Sequence, residues 1–267
     1  MLHLVVPLWN QWPMTQAFLE SLEGAEPRGS YRLILVDNGS TDATAARLKA
    51  WQKRLPFTLI RNRRNLGVAP AWNQGVKAAL RGGASWVGVL NNDLLLSAGC
   101  LSRLRQRASE QGWALASPAT REGALGYDLA AYADAYTRRC QRWDKAGRWF
   151  GWCFLVQAPV FKSIGLFDEG YRFGIGEDED FFRRARSAGF QCGVSGASFV
   201  HHFGSATIGP WRKEHGKAFE EKNLQRLRAK HAVAPRSAWA RRQAQWADGL
   251  DRAWSQLRWG HQLKEVA

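Results

Sequence analysis

The sequence predicts an α/β protein in which a mainly parallel, Rossmann-like sheet is flanked by helices and followed by a helical C-terminal extension. Three observations predict this class. Apolar runs of strand length alternate with helical patterns of ten or more residues, which is typical of βαβ units. Polar loops follow the apolar runs. The chain has 267 residues, 45% of them hydrophobic, enough for one large core with an appendage.

The alternation is clearest in the first half of the chain. The predicted strands are Leu2–Trp9, Tyr31–Val36, Phe57–Ile60 and Ser85–Leu90. Helical patterns follow these strands around residues 17–22, 43–53, 69–80 and 99–110. Because each strand leads into a helix-length connection, we expect the strands to pair in parallel.

The second half of the chain continues the pattern less regularly. Strands are predicted at 113–118 and 151–157, a helix at 177–188, and short strands near Phe190 and Phe199. Residues 119–150 are aromatic and basic, and indicate either a long functional loop or a small helical insertion. We therefore expect a core domain over 1–209 and a basic, Trp-rich helical extension over 210–267.

The composition narrows the partners and the compartment. The formal net charge of +15 favours anionic partners, which include phosphosugars, anionic lipid surfaces and nucleic acid. The four cysteines form no CxxC pair, which argues against a zinc site or a disulfide framework and fits a reducing compartment. We find no signal-peptide pattern and no apolar window of the ~20 residues that cross a bilayer, so we expect a cytoplasmic protein.

Polar loops follow all four of the first predicted strands. In an open parallel sheet ligands bind at the carboxyl ends of the strands, so these loops are expected to meet at one edge. One polar loop would be ordinary, but four together predict a ligand site. The loops are Pro7-Leu8-Trp9-Asn10, Asp37-Asn38, 61–65 and Asn91-Asn92-Asp93.

The familiar phosphate-binding motifs are missing from the sequence. Neither GxxxxGK[ST] nor a GxGxxG after the first strand occurs, so kinases, ATPases and NAD-dependent dehydrogenases lose their usual support. A nucleotide would then be held by a carboxylate on the base or ribose and by Mg²⁺ or Mn²⁺ on the diphosphate. Asp93 follows a wholly apolar strand and would project into such a cleft; alone, it could equally cap the next helix.

Six segments, taken together, resemble the family 2 glycosyltransferases, especially the rhamnosyltransferase-like branch of bacterial polysaccharide synthesis. The resemblance covers residues 3–209, and residues 210–267 show none. The segments are Val36–Asp42, Asn65–Asn73, Leu90–Asp93, Gly165–Glu169, Gly176–Asp180 and Val200–His202.

The resemblance implies a GT-A fold and an inverting displacement at the anomeric carbon. The donor is expected to be a UDP- or dTDP-sugar, and the acceptor a saccharide or lipid-linked saccharide of bacterial surface polysaccharide synthesis. By resemblance, the nucleotide-sugar site includes Pro7, Trp9, Asn10, Asp37, Asn38, Arg61, Asn65, Asn73, Asn92 and Asp93.

The resemblance also implies a divalent metal, Mn²⁺ or Mg²⁺. Asn91-Asn92-Asp93 occupies the place of the family's Asp-x-Asp motif, with Asn91 in place of the first Asp, so Asp93 is the expected protein ligand. His201 and His202 alternate on an extended segment, so only one of them should face the cleft. Alignment with the family's late histidine motif selects His202 as the second metal-site residue.

A single inverting displacement needs one general base to remove the acceptor's proton. Position within the family's acidic motif selects Asp178 as that base, with Glu177 as the alternative and Asp180 as a supporting residue. Trp152 and Asp168 are expected on the acceptor side. Trp faces commonly stack on sugars, although packing in the core would explain Trp152 as well.

The basic extension leaves alternatives open. Apolar residues recur in it at helical spacing beside arginines, which favours either a helix lying on an anionic membrane surface or one packing on its own domain or on a second subunit in a homodimer. A rival reading is a nucleic-acid-directed sugar transferase, or a nucleic-acid-binding module on a degenerate transferase fold. No recognised nucleic-acid motif occurs, so this reading is not favoured. The apolar positions are Trp239, Trp246, Leu250, Ala253 and Leu257.

Overall fold

A computed structural model describes residues 1–204, 209, 216 and 218–231. The strands are β1 (Leu2–Leu8), β2 (Tyr31–Asp37), β3 (Thr58–Arg61), β4 (Trp86–Leu90), β5 (Leu94–Leu96), β6 (Leu115–Glu122), β7 (Asp144–Ala146), β8 (Cys153–Gln157) and β9 (Cys192–His202). The helices are α1 (Trp12–Ala25), α2 (Thr44–Trp51), α3 (Val68–Arg81), α4 (Cys100–Glu110), α5 (Leu129–Cys140), α6 (Ala158–Ile164), α7 (Glu177–Ser187) and α8 (Ala218–His231).

The strands form one sheet in the order β3-β2-β1-β4-β8-β6-β9-β5, with β7 paired to β9. Strands β3, β2, β1 and β4 pair in parallel, as the alternation of strands and helices predicted. Beyond β4 the sheet is mixed, because β8 runs antiparallel to both β4 and β6. The sequence did not indicate this reversal, since a fully buried strand is apolar throughout whichever way it runs.

The position of β1 creates a crevice in the sheet. From β1 the chain runs outward through β2 and β3 and then returns to pair β4 on the other side of β1. The connections therefore leave the carboxyl ends of β1 and β4 in opposite directions. Such a switch point is where ligands bind in open α/β sheets.

The core lies on both faces of the sheet. Along β1, Leu4 and Val6 pack into one cluster with residues of α1 and α4, whereas Val5 packs into a second cluster with residues of α3 and α7. Alternate side chains of a strand point to opposite faces, so β1 contributes to both clusters. The result is a three-layer domain with helices on either side of the sheet.

Two predicted strands have different bounds in the structure, and one open alternative is resolved. The two short strands predicted near Phe190 and Phe199 are one long strand, β9. The predicted strand 113–118 ends later, at Glu122. Residues 119–150 contain α5 and β7, which corresponds to the predicted helical insertion rather than the long loop.

The extension is only partly described. Helix α8 packs against α7 and the segment that precedes it. The apolar positions predicted to form an amphipathic helix, from Trp239 onward, lie outside the described residues. None of the described helices is both long and apolar enough to cross a membrane.

The packing of α3 on β1 yields a stability test. A Cβ added at Gly75 would overlap the Val5 side chain. Overpacking of this kind costs about 1–3 kcal/mol, so we expect Gly75→Ala to lower the free energy of unfolding, measured by urea denaturation. The control is Gly24→Ala in α1, whose Cβ would meet nothing within 4 Å. It should gain ~0.5–1 kcal/mol from helix propensity, and equal effects of the two substitutions would contradict the packing.

Candidate active site

A cavity of about 320 Å³ opens at the carboxyl ends of β1 and β4. This volume is within the range of small-ligand sites, ~300–1,000 Å³. The lining residues come from the loops after β1, β2, β3 and β4, from β6 and β9, and from the segment leading into α7. They are Pro7, Leu8, Trp9, Asn38, Asn65, Gly67, Val68, Trp72, Asn91, Asn92, Asp93, Glu122, Gly151, Trp152, Phe173, Gly174, Ile175, Glu177, Asp178 and His202.

The amide of Asn38 ties together the loops that follow β2 and β3. Its Nδ2 donates to Asn65 Oδ1 at 2.9 Å and to the carbonyl of Gly67 at 3.0 Å. Its Oδ1 accepts from Asn62 Nδ2 at 2.9 Å and from the Leu66 amide at 3.1 Å. Asn38 is buried, so this full set of bonds fixes the shape of the cleft on its predicted nucleotide side.

Three residues predicted to touch the nucleotide lie beside the cavity and do not line it. Asp37 is buried, with Oδ1 accepting from the Ser40 amide at 2.9 Å and Oδ2 lying 3.3 Å from Arg61 Nε. Asn10 Oδ1 accepts from the Thr41 amide at 2.8 Å. Asn10 therefore holds the loops after β1 and β2 against each other, whereas the ion pair of Asp37 with Arg61 joins the ends of β2 and β3.

Of the remaining predicted nucleotide-side residues, Asn73 is placed differently. It is buried in α3, where Nδ2 donates to the Phe167 carbonyl at 2.9 Å and to Glu169 Oε1 at 2.8 Å. Asn73 therefore fastens α3 to the segment before α7 and does not line the cavity. Asn92 does line the cavity, and its Nδ2 donates to Thr15 Oγ1 at 2.9 Å.

His202 lies between two carboxylates. Its Nε2 is 3.2 Å from Asp93 Oδ1, and its Nδ1 is 3.6 Å from Glu122 Oε1. Strand pairing explains the arrangement, because His202 is opposite Leu94 of β5 on one side and opposite Glu122 of β6 on the other. Sequence analysis missed Glu122 since it ended the strand at Pro118; the signal was another acidic residue at the carboxyl end of a strand.

Trp152 stacks on His202 inside the cleft. The two ring centroids are 5.0 Å apart and the planes differ by 14°. The indole Nε1 donates to Thr120 Oγ1 at 3.1 Å, which fixes the tryptophan itself. His201, by contrast, faces Tyr127, with 3.0 Å between its Nδ1 and the phenol oxygen. One histidine of the pair is therefore in the cleft, as the alternation along a strand predicts.

Glu177 and Asp178 begin α7 after Gly176, which has φ 103°. Burial, together with the charge of Asp178, raises the pKa of Glu177 to about 8. Burial likewise raises the pKa of Asp178. Because the two carboxyls titrate together, burial favours one bound proton for the pair near neutral pH, with Glu177, the more buried of the two, as the preferred site.

Asp168, predicted on the acceptor side, does not line the cavity. Its carboxylate is bound by Arg226 at 3.0 Å and by Lys230 at 2.8 Å, both from α8. Burial raises the pKa of Asp168, but hydrogen bonds from Lys230, the Gly170 amide and Arg226 outweigh it and lower the pKa to about 2. The motif position was misleading because the partners of Asp168 come from a helix some sixty residues later.

The charged groups that line the cleft are acidic. Four carboxylic acids line it: Asp93, Glu122, Glu177 and Asp178. None of the described lining residues is Lys or Arg. Over the described part of the chain, no group of three or more His, Cys, Asp or Glu side chains is placed to hold a metal ion by itself.

The parallel β3-β2-β1-β4 half, the mixed second half and the acidic cleft at the switch point together define a GT-A fold. A family model described as glycosyl transferase family 2 matches residues 3–159. The chain therefore belongs to glycosyl transferase family 2.

Solved structures share this fold at low sequence identity. Residues 1–349 of TarS from S. aureus match with a TM-score of 0.60 and 15% identity, covering 85% of this chain and 69% of that one. The mannosyltransferase PcManGT from Pyrobaculum calidifontis, in complex with GDP-Man and Mn²⁺, matches with 0.62 and 16%, covering 90% and 66%. GalNAc-T7, with UDP, GalNAc and Mn²⁺, matches with 0.66 and 16%, covering 86% and 48%. No curated protein sequence matches the chain.

The raised pKa of Glu177 predicts how stability depends on pH. A carboxyl whose pKa is higher in the folded than in the unfolded state stabilises the fold below the unfolded value and loses that contribution as the pH rises through the folded value. A glutamine at this position would resemble the protonated side chain at every pH. We therefore expect Glu177→Gln to gain in melting temperature relative to the unsubstituted protein as the pH rises from about 5 to 8.

The control is Glu179→Gln, which makes the same substitution in the same helical turn at a residue paired with Arg183 on the surface. Thermal melts of all three proteins across this pH range provide the measurement. A Glu177→Gln difference that is constant with pH, or matched by Glu179→Gln, would show that Glu177 does not hold the proton.

Proposed function

We propose that this protein transfers a sugar from a nucleotide-diphosphate sugar to a hydroxyl of an acceptor, with inversion at the anomeric carbon and with the help of a divalent metal. The observation that carries the proposal is the pairing of acidic groups in the cleft of a family 2 fold. Asp93 and Glu122 flank His202, whereas burial raises the pKa of both Glu177 and Asp178. The two pairs suit two different tasks.

The group formed by Asp93, His202 and Glu122 fits a metal ion shared with the donor. A diphosphate would be repelled by this acidic cleft unless a cation accompanied it, and no described lining residue is Lys or Arg. Mg²⁺ and Mn²⁺ commonly bind one or two protein ligands together with substrate phosphates and water, so a complete protein cage is not needed. Asp93 and His202 would hold the ion, which would offset negative charge on the departing diphosphate.

Glu122 would then act on His202. A histidine that binds a metal usually has a carboxylate or carbonyl at its second ring nitrogen, which fixes the tautomer and the orientation of the ring. Glu122 Oε1 faces Nδ1 at 3.6 Å while Nε2 faces Asp93. Stacking on Trp152 restrains the plane of the same ring. These contacts support His202 Nε2 as the ligand atom.

The second pair fits general base catalysis. Asp178 is partly exposed to the cleft, whereas Glu177 is buried, so Asp178 is the residue that an acceptor hydroxyl can reach. The burial that raises the pKa of Asp178 makes its carboxylate a stronger base than that of an exposed aspartate. Asp178 would take the hydroxyl proton as the acceptor oxygen attacks the anomeric carbon through an oxocarbenium-like transition state.

The family and the solved structures with the same fold support a nucleotide sugar as the donor class. PcManGT was solved with GDP-Man and Mn²⁺, and GalNAc-T7 with UDP, GalNAc and Mn²⁺. For this chain we propose a UDP- or dTDP-sugar as the donor. The acceptor we propose is a saccharide or lipid-linked saccharide of bacterial surface polysaccharide synthesis, used on the cytoplasmic side of the membrane.

The base assignment gives a direct test. We expect Asp178→Asn to lower kcat by about 10²–10⁴-fold, the range of general base catalysis, with donor affinity unchanged. Release of nucleoside diphosphate measures kcat, using the donor and acceptor that give the unsubstituted protein its highest rate; calorimetry measures donor affinity. Glu179→Gln serves as the control and should keep its rate. If Asp178→Asn retained full turnover, Asp178 would have no part in the reaction.

A further inference from the structure

The segment 171–176 forms one wall of the cleft through a strained backbone. Phe173 and Ile175 both line the cavity, and their φ angles are 61° and 73°. Bulky and β-branched residues rarely adopt this left-handed conformation, and it persists only where the surroundings impose it. Something outside the segment must therefore hold it.

Asn223 of α8 makes the contacts that hold this backbone. The side chain is buried, and its Oδ1 accepts from the Arg172 amide at 3.1 Å. Its Nδ2 donates to the carbonyls of Arg172 at 2.9 Å and Gly174 at 2.8 Å. An amide supplies both an acceptor and two donors, so this one side chain satisfies three main-chain groups on either side of Phe173.

Ion pairs fasten α8 to the chain on both sides of this segment. Before it, Asp168 is bound by Arg226 and Lys230. After it, the fully buried Asp180 accepts from Lys230 and His231, each at 2.8 Å. Asp180 is on α7, two positions beyond the proposed base, so α8 spans the chain from the cleft wall to the helix that carries the base.

The opposite side of the segment contacts the nucleotide-side loops. A Cβ added at Gly67 would lie 3.1 Å from the Phe173 amide nitrogen, so the two backbones are close. The carbonyl of Gly67 accepts from Asn38, the residue that joins the loops after β2 and β3. The wall therefore connects the proposed donor side of the cleft with the turn that carries Asp178.

We propose that α8 is a positioning element of the cleft and that Asn223 is its positioning residue. Asn223 imposes the left-handed backbone at Phe173 and Ile175, and this backbone sets the spacing between the donor loops and Asp178. This inference rests on the proposed function. The inference adds to the proposed function a role for α8, which lies outside residues 3–159, the range that the family model matches.

The test compares Asn223→Ala with Arg228→Ala in the full chain. Arg228→Ala removes an exposed ion pair with Glu221 on the same helix and leaves the bonds of Asn223 to Arg172 and Gly174 in place. Hydrogen exchange of the peptide spanning 171–176 reports on the wall, melting temperature on stability, and nucleoside diphosphate release on kcat and KM.

We expect Asn223→Ala to speed exchange in this peptide by about tenfold or more and to lower kcat on the order of 10- to 100-fold, since misplaced reacting groups cost that much. Arg228→Ala should change neither the exchange of this peptide nor kcat. Loss of rate in proportion to melting temperature in both variants would overturn the proposal, as would unchanged exchange in Asn223→Ala. If Asn223→Ala does not fold, Asn223→Asp, which keeps the acceptor and loses both donors, carries the same expectations.

The outcomes separate the two proposals. Without any detectable transfer by the unsubstituted protein, the proposed function fails, whereas hydrogen exchange still decides whether Asn223 holds the wall. Normal transfer by the unsubstituted protein, with equal effects of the two substitutions, overturns the positioning inference alone.

Discussion

Four carboxylic acids share one cleft whose described lining contains no Lys or Arg, and the account of this protein depends on how their mutual repulsion is relieved. Charges placed close together in a partly buried site repel more strongly than in water. In one pair, burial raises the pKa of both Glu177 and Asp178, so a bound proton relieves their repulsion. The other pair flanks His202, an arrangement that a divalent cation would stabilise. The same requirement for a cation would apply to a bound diphosphate.

The sheet explains why these groups meet. Strand β1 provides the switch point, and the loops after β1, β2 and β3 form the side of the cleft that the amide of Asn38 holds together. The long strand β9 pairs with β5 on one edge and β6 on the other, which brings Asp93, His202 and Glu122 to one place. Helix α7 adds the second acidic pair from the opposite side. The parallel half therefore forms the proposed nucleotide side of the cleft, and the mixed half carries most of the acidic groups proposed for metal binding and catalysis.

Local pattern was enough to predict part of this arrangement. Asp93 and Asn38 follow buried strands, and strand alternation together with motif position selected His202; all three line the cavity. Contacts between residues that are distant in sequence could not be predicted, because no local pattern encodes the pairing. Glu122 depends on the register of β6 against β9, and Asp168 on ion pairs with α8. Asn73 lies in a segment that resembles a family motif, but its side chain donates a hydrogen bond to the backbone carbonyl of Phe167.

The proposed function requires that the cleft binds a nucleotide diphosphate together with a divalent ion at Asp93. Calorimetric titration of the protein with UDP, dTDP and GDP, each with and without Mn²⁺, tests this most directly, and Asp93→Asn provides the matched control. We predict that one nucleotide binds at least tenfold more tightly with Mn²⁺ and that Asp93→Asn abolishes this gain. Binding that is equally tight without the ion, or a gain that survives in Asp93→Asn, would contradict the account.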